Sequence, residues 1–201
     1  MGVIGTAEIV VKSLTFDQVK SEVLTRVNDP LGDTYSDRAK ELVYEGICAL
    51  ALGDYSRDGY PILAKTETYG AGGDHQIQIN GASSVLSNPV LRIVGVVDEQ
   101  LISAQFDTTP YRFIPIDSAK YNRLHDEDER PFDDEIYYYR EGDFLYLYPY
   151  GRAAGNVLIS YIASPDDYGD DDIMTNGYSL DFLYKVIDYS VGRIREEQAG
   201  E

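Results

Sequence analysis

The sequence has no tryptophan, one cysteine, two histidines and two methionines. The single cysteine, Cys48, cannot form an intramolecular disulfide, so the fold does not depend on an oxidising compartment. Because Cys48 lies in an apolar helical stretch, we interpret it as a small core residue rather than a nucleophile. No apolar run reaches the about 18–20 residues that span a membrane, so we expect no membrane among the partners.

Basic residues are scarce. The chain has 17 lysines and arginines against 35 aspartates and glutamates, for a formal net charge of −18. Tight binding to nucleic-acid phosphates needs clustered lysine and arginine, so this balance argues against a DNA- or RNA-binding protein. Two interpretations of the acidity stay open. The charge is either a solvated surface, or the wall of a channel or docking face for a basic partner.

Catalytic constellations are also missing. Neither His75 nor His125 lies in a motif with a nucleophile and an orienting acid. The glycine-rich stretch Gly70–Gly73 lacks the Lys-Ser/Thr of a phosphate-binding loop and the strand–glycine–helix context of a dinucleotide site. The sequence therefore predicts no catalytic residue, no cofactor and no enzyme.

Two acidic segments are candidate sites. The loop Asp166–Asp172 is rich in the carboxylates that hard cations prefer, but its spacing differs from that of calcium-binding loops. Asp133, Asp134 and Glu135 resemble the paired carboxylates of a glycosidase, yet adjacent residues of a strand point to opposite faces. We predict no metal ligand. A metal-assisted hydrolase that uses the acidic loops is the least favoured hypothesis.

The two ends of the chain show helical patterns. Thr15 and Gln18 form a capping-box pattern at the start of a first helix, and a second helix begins near Thr34 or Ser36. The pattern predicts an extended N-terminal arm over 1–14 and a helix pair over 15–53. Residues 166–201 are predicted to hold the acidic loop and a C-terminal helix that completes the bundle, with residues 196–201 frayed.

The middle of the chain, 54–165, is strand-like and rich in tyrosine. Alternation predicts strands at 91–97, 101–106 and 156–162, and a hairpin with arms at 135–139 and 144–148. The predicted fold class is α+β: a helical bundle, made of the N-terminal helix pair and the C-terminal helix, with an inserted antiparallel β subdomain formed by 54–165.

The hairpin carries many of the 18 tyrosines. Both of its faces are apolar or aromatic, so one face can enter the core while the other meets a partner. Tyrosine is favoured in protein interfaces because its ring buries area while its hydroxyl stays hydrated. We therefore predict an interface that includes Tyr137, Tyr139, Tyr146 and Tyr148.

Several segments resemble head–tail connector (adaptor) proteins of tailed bacteriophages. The helical similarity lies in 15–30 and 35–47. The β insertion is similar to that of podovirus proteins, including the crAss-like group, in 111–117, 131–139, 148–151 and 159–165. The resemblance covers most of the chain and rests on general pattern. No functional residue is transferred with it, because such proteins work through surfaces.

The resemblance implies a structural virion protein located in the neck between capsid and tail and made in the host cytoplasm. It implies a homo-oligomer, a dodecameric ring that docks on the portal protein and contacts tail and neck proteins. Genomic DNA would pass through the lumen without specific binding. The alternative is a non-catalytic glycan- or peptide-binding module that uses the tyrosine-rich sheet.

Overall fold

The computed structural model describes residues 13–53, 63–103, 110–124, 130–153 and 155–200. The chain divides into two compact units, one of Met1–Leu50 with Pro165–Glu201 and one of Ala51–Ser164. Most of the predicted arm over 1–14 lies outside the described residues, as does His125.

The elements confirm the α+β class. The helices are α1 (Phe16–Arg26), α2 (Ser36–Leu52), α3 (Glu99–Ser103), α4 (Ser118–Tyr121) and α5 (Leu180–Gly200). The strands are β1 (Ala64–Gly70), β2 (Gln76–Gln78), β3 (Val90–Asp98), β4 (Arg112–Pro115), β5 (Glu135–Glu141), β6 (Phe144–Tyr148) and β7 (Asn156–Ala163). The helices α1, α2 and α5 belong to the first unit, and the second unit contains both sheets.

Helix α1 begins with the predicted capping box. The side chain of Thr15 accepts from the backbone N–H of Gln18 at 3.3 Å, and the side chain of Gln18 accepts from the backbone N–H of Thr15 at 3.1 Å. The N–H of Phe16 donates to the carbonyl of Asp172 at 2.9 Å. These bonds satisfy backbone donors that a helix start leaves without an intrahelical partner. They also fix the acidic loop against the start of α1.

The turn between α1 and α2 is organised by one carboxylate. Asp29 accepts from the backbone N–H groups of Asp33, Thr34 and Tyr35 at 3.1, 3.1 and 2.8 Å. These bonds, that from Tyr35 above all, hold the pKa of the Asp29 carboxyl below its ordinary value. Gly32 has φ 69°, a left-handed conformation that favours glycine. The short connector between the helices is thus built by local hydrogen bonds.

Helices α2 and α5 approach closely at Gly46. A Cβ atom at this position would lie 3.1 Å from Cδ1 of Tyr189 and 3.3 Å from Cγ1 of Val186. The hydroxyl of Tyr189 donates to Glu45 at 2.7 Å beside this contact. The missing side chain at Gly46 therefore lets the two helices pack at short range, which accounts for a glycine inside an apolar helical stripe.

The predicted fraying of 196–201 is wrong for the described residues, since α5 is helical to Gly200. Glu197, near its end, receives the guanidinium of Arg38 from α2, with Nε to Oε1 at 3.1 Å. Hydrogen bonding to this guanidinium holds the pKa of Glu197 below its ordinary value. The last turns are thus tied to α2 by a contact that no local pattern in the tail reveals.

The second unit contains two sheets, ordered β1-β7-β3 and β2-β6-β5-β4. One buried cluster includes residues from both sheets, among them Ile136, Leu145, Ile159 and Tyr161. All pairs are antiparallel except β4 and β5, which are parallel. A parallel pair needs a long connection, and residues 116–134 supply it. The parallel pair makes the second sheet mixed, whereas the sequence predicts an antiparallel subdomain.

One local prediction in this unit is wrong, and one strand was not predicted. The predicted strand at 101–106 is replaced, in its described part, by helix α3. The carboxylate of Asp98 accepts from the N–H of Gln100 at 3.0 Å, which favours a helical start over an extended chain. Strand β1 was not predicted, because its residues Lys65, Thr66 and Glu67 hide the apolar alternation of a half-buried strand.

Glu67 of β1 occupies a polar site at the edge of the core. It accepts from the N–H and the Oγ of Ser87 at 3.1 and 2.9 Å, and from the hydroxyl of Tyr161. Burial acts to raise the pKa of Glu67. The hydrogen bonds from Tyr161 and Ser87 outweigh it, so the pKa lies below its ordinary value of 4.5.

This lowered pKa predicts acid sensitivity. A carboxyl with a depressed folded pKa contributes stability that is complete above 4.5 and is lost as the pH falls through the folded value. We expect the free energy of unfolding of the native protein to fall more between about pH 5 and about pH 3 than that of Glu67→Gln. Urea titrations across this range test it. Equal losses in both proteins would contradict it.

Candidate functional site

The four-stranded sheet presents a column of aromatic rings on the face away from the core. In β6, Leu145 and Leu147 are buried in the core cluster, whereas Phe144, Tyr146 and Tyr148 are half-buried. This alternation follows from the two-residue period of a strand. Tyr150 follows two residues later, and its ring lies 5.8 Å from that of Tyr148. We call Phe144, Tyr146, Tyr148 and Tyr150 the aromatic column.

Strand β5 adds a second row of tyrosines on the same face. Tyr137 and Tyr139 lie opposite Tyr148 and Tyr146 in the antiparallel register. The rings of Tyr139 and Tyr146 stack with centroids 4.9 Å apart and an interplanar angle of 16°. The predicted tyrosines therefore share one face of one hairpin, as the alternation indicated.

Helix α4 covers the β5 row. The ring of Tyr121 lies 4.4 Å from that of Tyr139, and Nζ of Lys120 lies 4.4 Å from the centroid of Tyr137. As a result Tyr137 and Tyr139 are only 7% and 8% exposed. Tyr146 and Tyr148 keep part of their surface in solvent. Of the four predicted interface residues, Tyr146 and Tyr148 are thus partly exposed to a partner. Tyr137 and Tyr139 lie beside them in the neighbouring strand, beneath α4.

Tyr150, His75, Tyr121 and Phe144 are aromatic residues of this surface that were not predicted. Tyr150 is 59% exposed, its ring lies 4.8 Å from that of the exposed His75, and its hydroxyl lies 3.0 Å from that of Tyr121. The Tyr148-Pro-Tyr150 sequence was a signal for the first of them, since it continues the alternation of β6. No pattern near His75 or Tyr121 indicates that either lies on this face.

Carboxylates lie at both ends of the aromatic column. Glu141 is the register partner of Phe144, and Asp143 lies in the adjacent turn; both are exposed. At the other end Asp74, next to His75, accepts from the hydroxyl of Tyr69 at 2.6 Å and raises the pKa of that tyrosine to about 12. The column is therefore an amphipathic aromatic surface with exposed carboxylates at its Phe144 end.

A second aromatic cluster lies in the helical unit and is structural. It consists of Phe16, Tyr44, Tyr168, Tyr178 and Phe182, with neighbouring ring centroids between 5.3 and 6.3 Å apart. Burial, together with the hydrogen bond to Tyr168, raises the pKa of Tyr178. Tyr168 belongs to the acidic loop, so this cluster anchors the loop to the helices.

Three carboxylates of the loop Asp166–Asp172 take part in protein contacts. Asp167 accepts from the hydroxyl of Tyr44 at 3.0 Å, Asp170 pairs with Lys20 at 3.2 Å, and Asp172 accepts from the N–H of Gly169 at 2.7 Å. Within the part of the chain that the structure describes, no group of three or more His, Cys, Asp or Glu side chains is arranged to hold a metal ion. The loop is organised by hydrogen bonds and an ion pair with other residues of the protein.

In the other acidic segment, Asp133–Glu135, the side chains of Glu135 and Asp133 form separate contacts within the protein. Glu135 is buried, accepts from the N–H of Phe132 at 3.2 Å and lies 3.5 Å from the guanidinium of Arg112. Asp133 is fully exposed, 3.9 Å from Arg152. Glu135 thus fixes the start of β5 instead of facing a cleft with its neighbour.

Cys48 is half-buried in α2, and burial raises the pKa of its thiol.

Comparison with known proteins assigns the chain to a family. No curated protein matches it. Over the described ranges, no helix has the length and apolar character needed to cross a membrane. Residues 14–200 match the profile of the SU10 adaptor protein family, and this match includes every helix and strand given above. The chain therefore belongs to the SU10 adaptor protein family, a family of phage structural proteins.

Proposed function

We propose that the chain is a head–tail connector of a podovirus-type virion. Copies of it form a dodecameric ring that docks on the portal, joins it to the tail and encloses part of the path of the genome. The observation that carries this proposal is the family match over residues 14–200. An adaptor joins other virion proteins, so its function is expected to lie in its surfaces.

The aromatic column supports the proposal. Tyr146, Tyr148 and Tyr150 offer ring area together with hydroxyl groups, the combination that is enriched in protein interfaces. Ring assembly also needs two different surfaces that meet head to tail. The helical unit and the sheet unit give each copy surfaces of different chemistry. The interface formed by Tyr137, Tyr139, Tyr146 and Tyr148 stays a prediction.

The net charge supports a role beside DNA without binding it. Each copy carries a formal charge of −18, and a ring multiplies this value. Carboxylates that line a lumen repel phosphates, so the genome passes without adhering to the wall. Several basic residues, such as Arg26, Arg38 and Arg193, are paired with carboxylates.

Assembly with the portal tests the proposal. The purified chain, mixed with portal rings from the same phage, is expected to co-migrate with them in size-exclusion chromatography and to add a layer of density in negative-stain images. Tyr146→Ser with Tyr148→Ser should reduce this binding, whereas Tyr184→Ser, a partly exposed tyrosine of α5, is the matched control. Intact portal rings that never acquire the chain would contradict the proposal.

The aromatic column also supports the alternative function, a glycan- or peptide-binding module. Sugars stack on exposed rings such as Tyr150 and form hydrogen bonds with neighbouring polar groups such as Gln76, which donates to Tyr146 at 3.2 Å. A glycan array separates the two functions. Strong, selective glycan binding by a chain that does not associate with the portal would favour the module.

A further inference from the structure

We propose that the aromatic column is the docking site for an extended segment of another virion protein that carries lysine or arginine at alternate positions. This inference deepens the proposed function by giving the chemistry of a partner, and it relies on that function only for the segment's source. Three observations carry it: a cation already seated on the same sheet face, anionic groups at the Phe144 end of the column, and the spacing of its rings.

The first observation is an internal precedent. Nζ of Lys120 lies 4.4 Å from the centroid of the Tyr137 ring, on the sheet face that carries the column. An ammonium or guanidinium group within about 6 Å of a tyrosine ring is attracted by the negative face of its π system. Tyr146, Tyr148 and Tyr150 are the same side chain with part of their surface open to solvent. The column thus offers further seats of the kind that Lys120 occupies.

The second observation is charge complementarity. Glu141 and Asp143 are exposed at the Phe144 end of the column, and Asp74 is exposed beside His75 at the Tyr150 end. The guanidinium of Arg140, next to Glu141 in sequence, donates to the carbonyls of Leu91 and Val90 on the opposite face and to that of Gly142 in the turn. The Phe144 end of the column is therefore anionic, whereas the Asp74 carboxylate at the other end is bound by the hydroxyl of Tyr69.

The third observation is spacing. Ring centroids are 6.3 Å apart between Phe144 and Tyr146, and 5.8 Å apart between Tyr148 and Tyr150. Side chains at alternate positions of an extended chain repeat at about 6.6 Å. An extended segment laid along β6 therefore places about one side chain on each ring.

Calorimetry with a defined peptide tests this inference on the full chain. The probe is an acetylated and amidated peptide of alternating glycine and arginine, at physiological ionic strength. Its control has citrulline in place of arginine, which keeps the shape and removes the charge. We expect the arginine peptide to bind and the citrulline peptide to bind at least about 10-fold more weakly, because only the cation is attracted by rings and carboxylates.

Variants locate the binding. Tyr146→Leu and Tyr150→Leu should each weaken the arginine peptide about 2- to 5-fold, as expected for one exposed cation–π contact. Tyr150 is 59% exposed, so its replacement does not depend on repacking the sheet, and circular dichroism checks both folds. Glu141→Gln should weaken binding more than Asp33→Asn, which removes the same charge from an exposed position in the helical unit.

Several outcomes would overturn the inference. One is equal binding of both peptides. Another is equal weakening by Glu141→Gln and Asp33→Asn with no effect of the leucine variants, which means diffuse attraction to an acidic protein. If a glycan displaces the peptide, or if the chain self-associates through the column, the column binds a different occupant from the one proposed. The assay contains no portal, so its failure is distinguishable from a failure of ring assembly.

Discussion

Replacing Phe16 with alanine is expected to lower the free energy of unfolding by about 3–5 kcal/mol. The Phe16 side chain is fully buried, with its ring 5.4 Å from that of Tyr44 and 6.2 Å from that of Tyr168. The substitution removes the ring that joins α1 to α2 and to the acidic loop. It leaves a cavity that rigid neighbours fill only in part. Urea denaturation followed by the helical circular-dichroism signal measures the change.

The matched control is Phe132→Ala, which removes the same side chain from a position that is 75% exposed. Its expected effect is within about 0.5 kcal/mol, since little apolar area leaves the interior. A loss below about 1 kcal/mol for Phe16→Ala would show that the aromatic cluster of the helical unit does not stabilise it.

The second large effect is expected at Tyr161 in the sheet unit. Its side chain is fully buried in the cluster shared by the two sheets, and its hydroxyl donates to Glu67. Tyr161→Ala should cost about 3–5 kcal/mol through loss of the ring. Tyr161→Phe keeps the ring and should cost about 1.5–3 kcal/mol, the range for a hydrogen bond to a charged group.

The difference between the two substitutions separates packing from hydrogen bonding. After Tyr161→Phe, the carboxylate of Glu67 retains its two bonds from Ser87, so this variant is expected to fold. Urea titration of both variants provides the comparison. Equal losses for phenylalanine and alanine would mean that the hydroxyl, and not the ring, accounts for the contribution of Tyr161.

The parts of the fold that depend on local pattern were predictable. The capping box at Thr15, the alternation of β6 and the period of α5 each express one element's own geometry in its residues. The hairpin turn is a further example, because Gly142 provides the positive φ of 57° that a short connection requires. The four tyrosines lie on one face of one sheet for the same reason, since residues two apart in a strand share a face.

The parts that depend on contacts between distant segments were not predictable. Burial of Tyr137 and Tyr139 is caused by α4, a four-residue helix whose sequence does not show where it packs. The pairing of Arg38 with Glu197 extends α5 through a tail whose composition suggests fraying. Strand β1 was not recognised because it contains the polar residues Lys65 and Glu67. Their hydrogen-bond partners, Asn88 and Ser87, lie in a loop that precedes β3.

A cryo-electron microscopy reconstruction of the neck of the virion that contains this chain is the most direct test of the proposed function. We expect a closed ring of copies between portal and tail, in which the exposed surfaces of Tyr146, Tyr148 and Tyr150 are covered by another polypeptide. A neck without this chain, or a ring in which the aromatic column faces open solvent, would contradict it.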